Sequence, residues 1–226
     1  MPEIRAVIFD MDGVLIDAKE WHYEALNRAL RLFGHEISRY DHLHAYDGLP
    51  TRKKLEMLTR QHGLPSGLHG FINQLKQQYT MEIVHARCKP VFTHEYALAR
   101  LKGEGVLLGL ASNSIRRTVE TMMDYANLTR YFTVMLSNED VERAKPHPDI
   151  YLKAAALLGL PPGACLVLED NAHGIQAARA AGTHVLEVET VHDVTYDRIR
   201  RAIDAIGAAG HAAVAGQDTV LEKGVA

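Results

Sequence analysis

Apolar residues follow two rhythms along the chain. Residues 4–9, 106–111, 132–136, 165–168 and 184–188 are short, nearly continuous apolar runs rich in Val, Ile and Leu. Apolarity without alternation over so short a span is the mark of a strand buried on both faces, as in a parallel sheet. Between these runs, 94–102, 115–126, 149–158 and 172–181 read as helices. Pro148 stands where a first helical position belongs, and Gly182 where a helix-ending glycine belongs. Strand and helix in alternation predict an α/β fold: a doubly wound, Rossmann-like parallel sheet with right-handed crossovers.

Residues 18–88 break this rhythm and contain no convincing strand. Over 21–33, Leu26, Ala29, Leu30 and Phe33 fall on one side of a helix. Residues 51–62 and 68–85 read as further helices. The expected organisation is an α/β core of 1–17 and 89–210, with an α-helical insertion over 18–88. Linkers fall near 15–19 and 87–93, the second around Pro90, whose fixed φ suits a hinge. Beyond Ile206 the chain is rich in Gly and Ala and loses its period, so 211–226 is expected to be a flexible tail.

A chain of 226 residues suffices for one large domain, or for a core with a smaller partner. A net charge of −3 offers no basic face for nucleic acid. No run approaches the ~18 apolar residues of a membrane span, and no long apolar segment precedes the first strand. Cys88 and Cys165 form no C-x-x-C pair, which fits a reducing compartment. A soluble cytoplasmic protein is expected. The 13 histidines show no metal-binding spacing; His42-x-His44 lies in helix or loop, and most are expected on the solvated surface.

Chemistry-bearing residues gather where strands end. The first run is followed by Asp10-Met11-Asp12-Gly13, two carboxylates and a glycine that lets the chain turn. In an open α/β sheet, ligands sit beyond the carboxyl ends of strands. There, one acid can attack or hold a metal while the other moves a proton. Ser112-Asn113-Ser114 follows the second run, Glu169-Asp170-Asn171 the fourth, and Lys145-Pro146 precedes a helix.

In the order Asp10-Met11-Asp12-Gly13-Val14, Ser112-Asn113, Lys145-Pro146 and Glu169-Asp170-Asn171-Ala172-His173-Gly174-Ile175, the chain resembles the haloacid dehalogenase-like superfamily of phosphatases and phosphomutases, over about residues 4–190. Each motif alone is weak; four in order are specific. The resemblance implies a helical cap at 18–88. It implies Asp10 as the nucleophile that forms an aspartyl-phosphate and Asp12 as the acid–base group. Ser112 and Lys145 would grip phosphoryl oxygens, with Asn113 contributing its backbone amide more than its side chain. Mg²⁺ would sit on Asp10, Asp170 and the backbone carbonyl of Asp12, with Glu169 either a direct or a water-mediated ligand.

The cap is expected to select the substrate, a small phosphorylated metabolite such as a sugar phosphate. Gly48-Leu49-Pro50-Thr51-Arg52 is the candidate loop; Arg52 either clamps an anionic group or lies on a helix surface. His22 matches a histidine common in sugar-phosphate members of the superfamily, or packs in the hinge. Arg116 and Arg117 are further candidates, at least one belonging to a solvated face. The alternative is a β-phosphoglucomutase-like phosphomutase. The resemblance speaks against it at two positions: Asp47 and Ile115 stand where the mutase carries lysines, leaving Arg52 and Arg116 as the candidates to compensate. A dehalogenase generally lacks the acid at Asp12, and a non-enzymatic module has no use for the intact motif set.

Overall fold

In the computed structural model, residues 3–46 and 48–221 are described, with the side chains of 210–221 excepted. Five strands form one sheet: β1 (Ala6–Phe9), β2 (Leu107–Ala111), β3 (Val134–Leu136), β4 (Cys165–Glu169) and β5 (His184–Glu187). All pairings are parallel, in the order β3-β2-β1-β4-β5. The helices are α1 (Lys19–Arg31), α2 (Arg39–Asp41), α3 (Thr51–His62), α4 (His69–Arg87), α5 (Phe92–Gly103), α6 (Arg116–Tyr125), α7 (Asp149–Leu157), α8 (Ala172–Ala180) and α9 (Tyr196–Leu221). This is the expected doubly wound sheet. The five apolar runs all become strands, each trimmed or extended by a residue or two.

Side chains alternate across the sheet, as a strand's period of two requires. Val7, Phe9, Leu108, Leu110, Leu166 and Leu168 pack on one face with Leu98, Met122 and Ile199 of α5, α6 and α9. Ala6, Ile8 and Val167 pack on the other with Ile150, Tyr151 and Ala177 of α7 and α8. Both faces are covered, which explains the unbroken apolarity of the runs. Cys165 is a buried core residue, and both cysteines are unpaired.

Helices α1–α4 fall between β1 and β2 and build a separate apolar cluster. Leu26, Ala29 and Leu30 of α1 meet Leu55 and Leu58 of α3 and Ile72 of α4, with Phe33 packed alongside. The stripe read along α1 is therefore the one that is buried. A short π-helical turn, His42–Tyr46, follows α2. His42 is buried there against Tyr23, in the helical setting read for His42-x-His44.

Two local expectations are corrected. Pro148 is the residue before α7, not its first. The chain also remains helical past Ile206, with α9 continuing to Leu221. Alanine is the best helix former, so an Ala-rich stretch keeps its helix after its apolar period fades. Residues 222–226 lie outside the described residues. No described helix is long and apolar enough to cross a membrane.

Leu30 is fully buried in the insertion's own cluster. Leu30→Ala should cost about 2–5 kcal/mol, read as a lowered urea midpoint. A surface control, Leu32→Ala, should cost well under about 1 kcal/mol, because Leu32 is 62% exposed.

Candidate active site

The sheet order reverses beside β1, with β2 and β3 on one side and β4 and β5 on the other. Such a switch point is where an open α/β sheet binds ligands. The register pairs Phe9 with Leu110 and with Leu168. The next residues along, Asp10, Ala111–Ser112 and Glu169, are thereby set side by side. After β1 the chain closes a tight loop. The amides of Leu15 and Ile16 both donate to the Met11 carbonyl, at 2.9 Å each. Gly13 turns the loop at φ +90°, a conformation that other residues rarely adopt.

Lys145 is the centre of the buried charge cluster. Its Nζ donates to Asp10 Oδ1 at 2.6 Å, Glu169 Oε1 at 2.6 Å and the Ala111 carbonyl at 2.9 Å. Burial works against its charge, yet Asp10 and Glu169 hold its pKa above the ordinary lysine value. Tyr151 also donates to Glu169 Oε1. A Cβ at Gly174 would lie 1.8 Å from that oxygen, so α8 must offer a glycine where Glu169 reaches it. The Lys145 loop is positioned by Asn113, whose Oδ1 accepts the Lys145 amide at 3.1 Å.

Asp12 lies across the cavity from this cluster in chemical role. Its Oδ1 bonds His22 Nε2 at 3.0 Å, and its Oδ2 accepts from Ser114 Oγ at 2.8 Å. Lys76 Nζ stands 3.2 Å from His22 Nδ1. An ammonium can only donate, so Nδ1 accepts and the neutral ring carries its proton on Nε2, toward Asp12. Burial and Lys76 push the His22 pKa down, which keeps the ring neutral. Burial raises the Asp12 pKa, but His22 and Ser114 outweigh it and hold the carboxyl ionised, below its ordinary value.

A cavity of about 210 Å³ opens between these strand ends and the helical insertion. His22, Gly48 and Arg52 line it, as do Asp10, Asp12, Asn113 and Lys145. Ser112 is fully buried behind the wall, its Oγ accepting the Ser114 amide at 3.0 Å. Gly48, at φ +70°, brings the insertion against the core. Its carbonyl accepts from Asn113 Nδ2 at 3.3 Å, and a Cβ there would strike Asn171 Oδ1 at 2.4 Å. Asn113 thus joins three loops with its amide side chain.

The cations of the insertion are not the expected ones. Arg52 reaches the cavity rim, but its side chain is 80% exposed and pairs with Glu56 on its own helix. Arg116 pairs with Asp140 outside the cavity, and Arg117 does not line it. Lys54 and Lys76 line it instead, both buried. They occupy the inward stripes of α3 and α4 beside Leu55, Leu58, Ile72 and Thr80. A lysine inside an apolar helical stripe was the sequence signal for them. Burial, with Lys54 adding its repulsion, pushes the Lys76 ammonium down to about 8. Asp47 lies outside the described residues, while Ile115 lines the cavity without a charge.

Asp10, Glu169 and Asp170 offer carboxylate oxygens within 4.8 Å of one another. Burial raises the Asp10 pKa well above the carboxylate range; Lys145 opposes this, and the neighbouring acids reinforce it. An anionic Asp10 therefore needs more positive charge than Lys145 supplies. Three hard oxygen donors suit Mg²⁺ or a similar cation. The Asp12 side chain is turned to His22 and Ser114, which leaves only its backbone for such an ion.

The comparisons agree with this geometry. The sequence matches the haloacid dehalogenase-like hydrolases over residues 7–188. The chain belongs to that family. It is 32% identical over 187 residues to hexitol phosphatase B of Escherichia coli K12, covering 79% of this chain and 81% of that one. It is 29% identical over 201 residues to a phosphorylated carbohydrates phosphatase of Thermotoga maritima, covering 85% and 86%. Its fold is also that of a β-phosphoglucomutase from Clostridium difficile, with a TM-score of 0.77 at 21% identity, over 89% of this chain and 98% of that one.

Removing Lys145 leaves the buried carboxylates without their central counter-charge. Lys145→Met should cost about 3–5 kcal/mol of stability in chelator, read by urea unfolding. Added Mg²⁺ should recover part of the loss.

Proposed function

We propose that the protein is a Mg²⁺-dependent phosphatase of a small phosphorylated carbohydrate, acting through an aspartyl-phosphate on Asp10. The carrying observation is the juxtaposition of Asp10, held by Lys145 at the switch point, with Asp12, held by His22 and Ser114 on the same cavity. The names of the two phosphatase relatives supply the substrate class.

Asp10 attacks phosphorus, and the ester P–O bond breaks. The departing oxygen takes a proton from Asp12, which acquires it as the anionic substrate enters beside it. Asp12 then removes a proton from water as that water attacks the aspartyl-phosphate. Inorganic phosphate leaves, Asp10 returns to its carboxylate, and Asp12 releases to solvent the proton taken from water, replacing the one it took up from solvent as substrate bound. Lys145 neutralises charge on the phosphoryl oxygens during both transfers. Asp10, Asp170 and the Asp12 carbonyl would hold the Mg²⁺, with Glu169 beside them; the ion supplies electrostatic stabilisation of the transferred group. Asn113 keeps Lys145 in place, and the insertion serves as a cap that excludes bulk water.

Asp10→Asn should fold normally and release no phosphate from a panel of sugar phosphates in Mg²⁺. A folded variant with wild-type release refutes the covalent route. Chelation should abolish release by the wild type, and Asp170→Ala should raise the metal requirement or abolish activity.

A second reading, phosphoryl transfer within a sugar phosphate, gains from Lys54 and Lys76. They are cap-side cations of the kind whose apparent lack argued against a mutase. Incubation of labelled β-glucose 1-phosphate with a bisphosphate primer separates the two. Free sugar and phosphate support the hydrolase, and labelled glucose 6-phosphate supports the mutase.

Lys76 also makes binding sensitive to alkali. Its folded pKa lies below the ordinary lysine value, so its charge is present below about pH 8 and lost above it. A dianionic substrate prefers the charged form. kcat/KM should therefore fall as pH rises through about 8, and Lys76→Met should remove that limb from the profile.

A further inference from the structure

Lys19 is the first residue of α1, where a cation stands against the helix dipole and a carboxylate is the favoured residue. The structure gives it a compensating partner. Its Nζ reaches back across the loop to Asp170 Oδ2 at 2.6 Å. The Asp170 side chain is 1% exposed, whereas that of Lys19 is 31% exposed. The reach passes close over Gly13, where a Cβ would lie 2.8 Å from Lys19 Cε and 2.0 Å from Asp170 Oδ2. The glycine that turns the chain after Asp12 thus also makes room for this pair.

Asp170 is one of the three carboxylates that converge at the strand ends. Lys145 serves Asp10 and Glu169 from within, and Lys19 serves Asp170 from the cavity side. Two ammonium groups thus face three carboxylates. A divalent cation on the same oxygens makes the cluster net positive while Lys19 stays, and neutral once Lys19 leaves. Lys19 is the member able to leave, since it is partly exposed on a long flexible stem, whereas Lys145 is enclosed by three acceptors.

We propose that Lys19 competes with the divalent cation for Asp170 and thereby sets the metal affinity of the site. The inference rests on the metal-dependent reading given above. Lys19 acts as a tethered counter-ion. It offsets part of the acid cluster's charge before the metal binds and weakens metal binding by the work of displacing it.

The test is calorimetric titration of the chelated, dialysed full chain with Mg²⁺ and with Mn²⁺. Lys19→Met keeps the stem and removes the charge; it should bind both ions about fivefold or more tightly than wild type. Lys19→Arg should stay close to wild type. Equal or weaker binding by Lys19→Met overturns the competition while leaving the metal site standing. No binding by any of the three proteins overturns the competition and the metal-dependent reading together. A second measurement needs no variant: acylation of Lys19 in the wild-type protein, read by peptide mass spectrometry. It should be slow in chelator and several-fold faster in saturating Mg²⁺. A rate indifferent to the metal overturns the proposal.

Discussion

Three carboxylates meet at the end of the central strands, and Lys145 is the charge that lets them do so. Like charges this close in a buried place drive one another toward the neutral form, and the raised pKa of Asp10 records that pressure. The rest of the site is arranged around this constraint. The register of β1 with β4 brings Asp10 beside Glu169. Asn113 fixes the backbone of Lys145, Tyr151 takes part of the charge on Glu169, and Gly174 leaves the carboxylate its space. Each is a local requirement created by the same buried ammonium and its acids.

Asp12 lies two residues from Asp10 and lives in a different electrostatic world. It faces the insertion, where His22 and Ser114 hold it ionised despite burial. Two acids from one short motif thus have environments that push their pKa values in opposite directions. The proposed roles need the opposite order, an ionised Asp10 and a protonated Asp12, so a cation beside Asp10 and a substrate anion beside Asp12 would have to reverse both shifts. The link runs through His22, so the acid on the core is wired to Lys76 on the insertion. In the proposed reaction, a displacement of the insertion would therefore change the proton affinity of Asp12.

Two buried lysines set the charge on the insertion's side of the cavity. Lys54 and Lys76 are both buried, and burial, with Lys54 adding its repulsion, depresses the Lys76 ammonium. An anion between them relieves the repulsion. Ile115 lines the cavity without a charge while Lys54 and Lys76 line it from the insertion, so a single position is a weak guide to the electrostatics of the whole cavity.

Much of the architecture was legible in the chain. Unbroken apolar runs became two-faced strands because burial on both sides leaves no polar position to alternate. The motif acids and Asn113 came to one place because each ends or closely follows a strand, and parallel strands share an end; Lys145 arrives on the connection between β3 and α7. His22 and Gly48 also reached the cavity. Arg52 reaches the rim paired with Glu56, and Arg116 pairs with Asp140 away from the cavity. Lys19, Lys54 and Lys76 were unremarked in the sequence because a lysine's ordinary place is in solvent. Periodicity and turn chemistry act over a few residues, so the chain alone determined the strands, the helices and the order of the motifs. The environment of a charge depends on groups tens of residues away, as with Lys76 against His22 and Lys19 against Asp170. Only the packing of the insertion onto the sheet decided which cations would be buried and which acids they would meet.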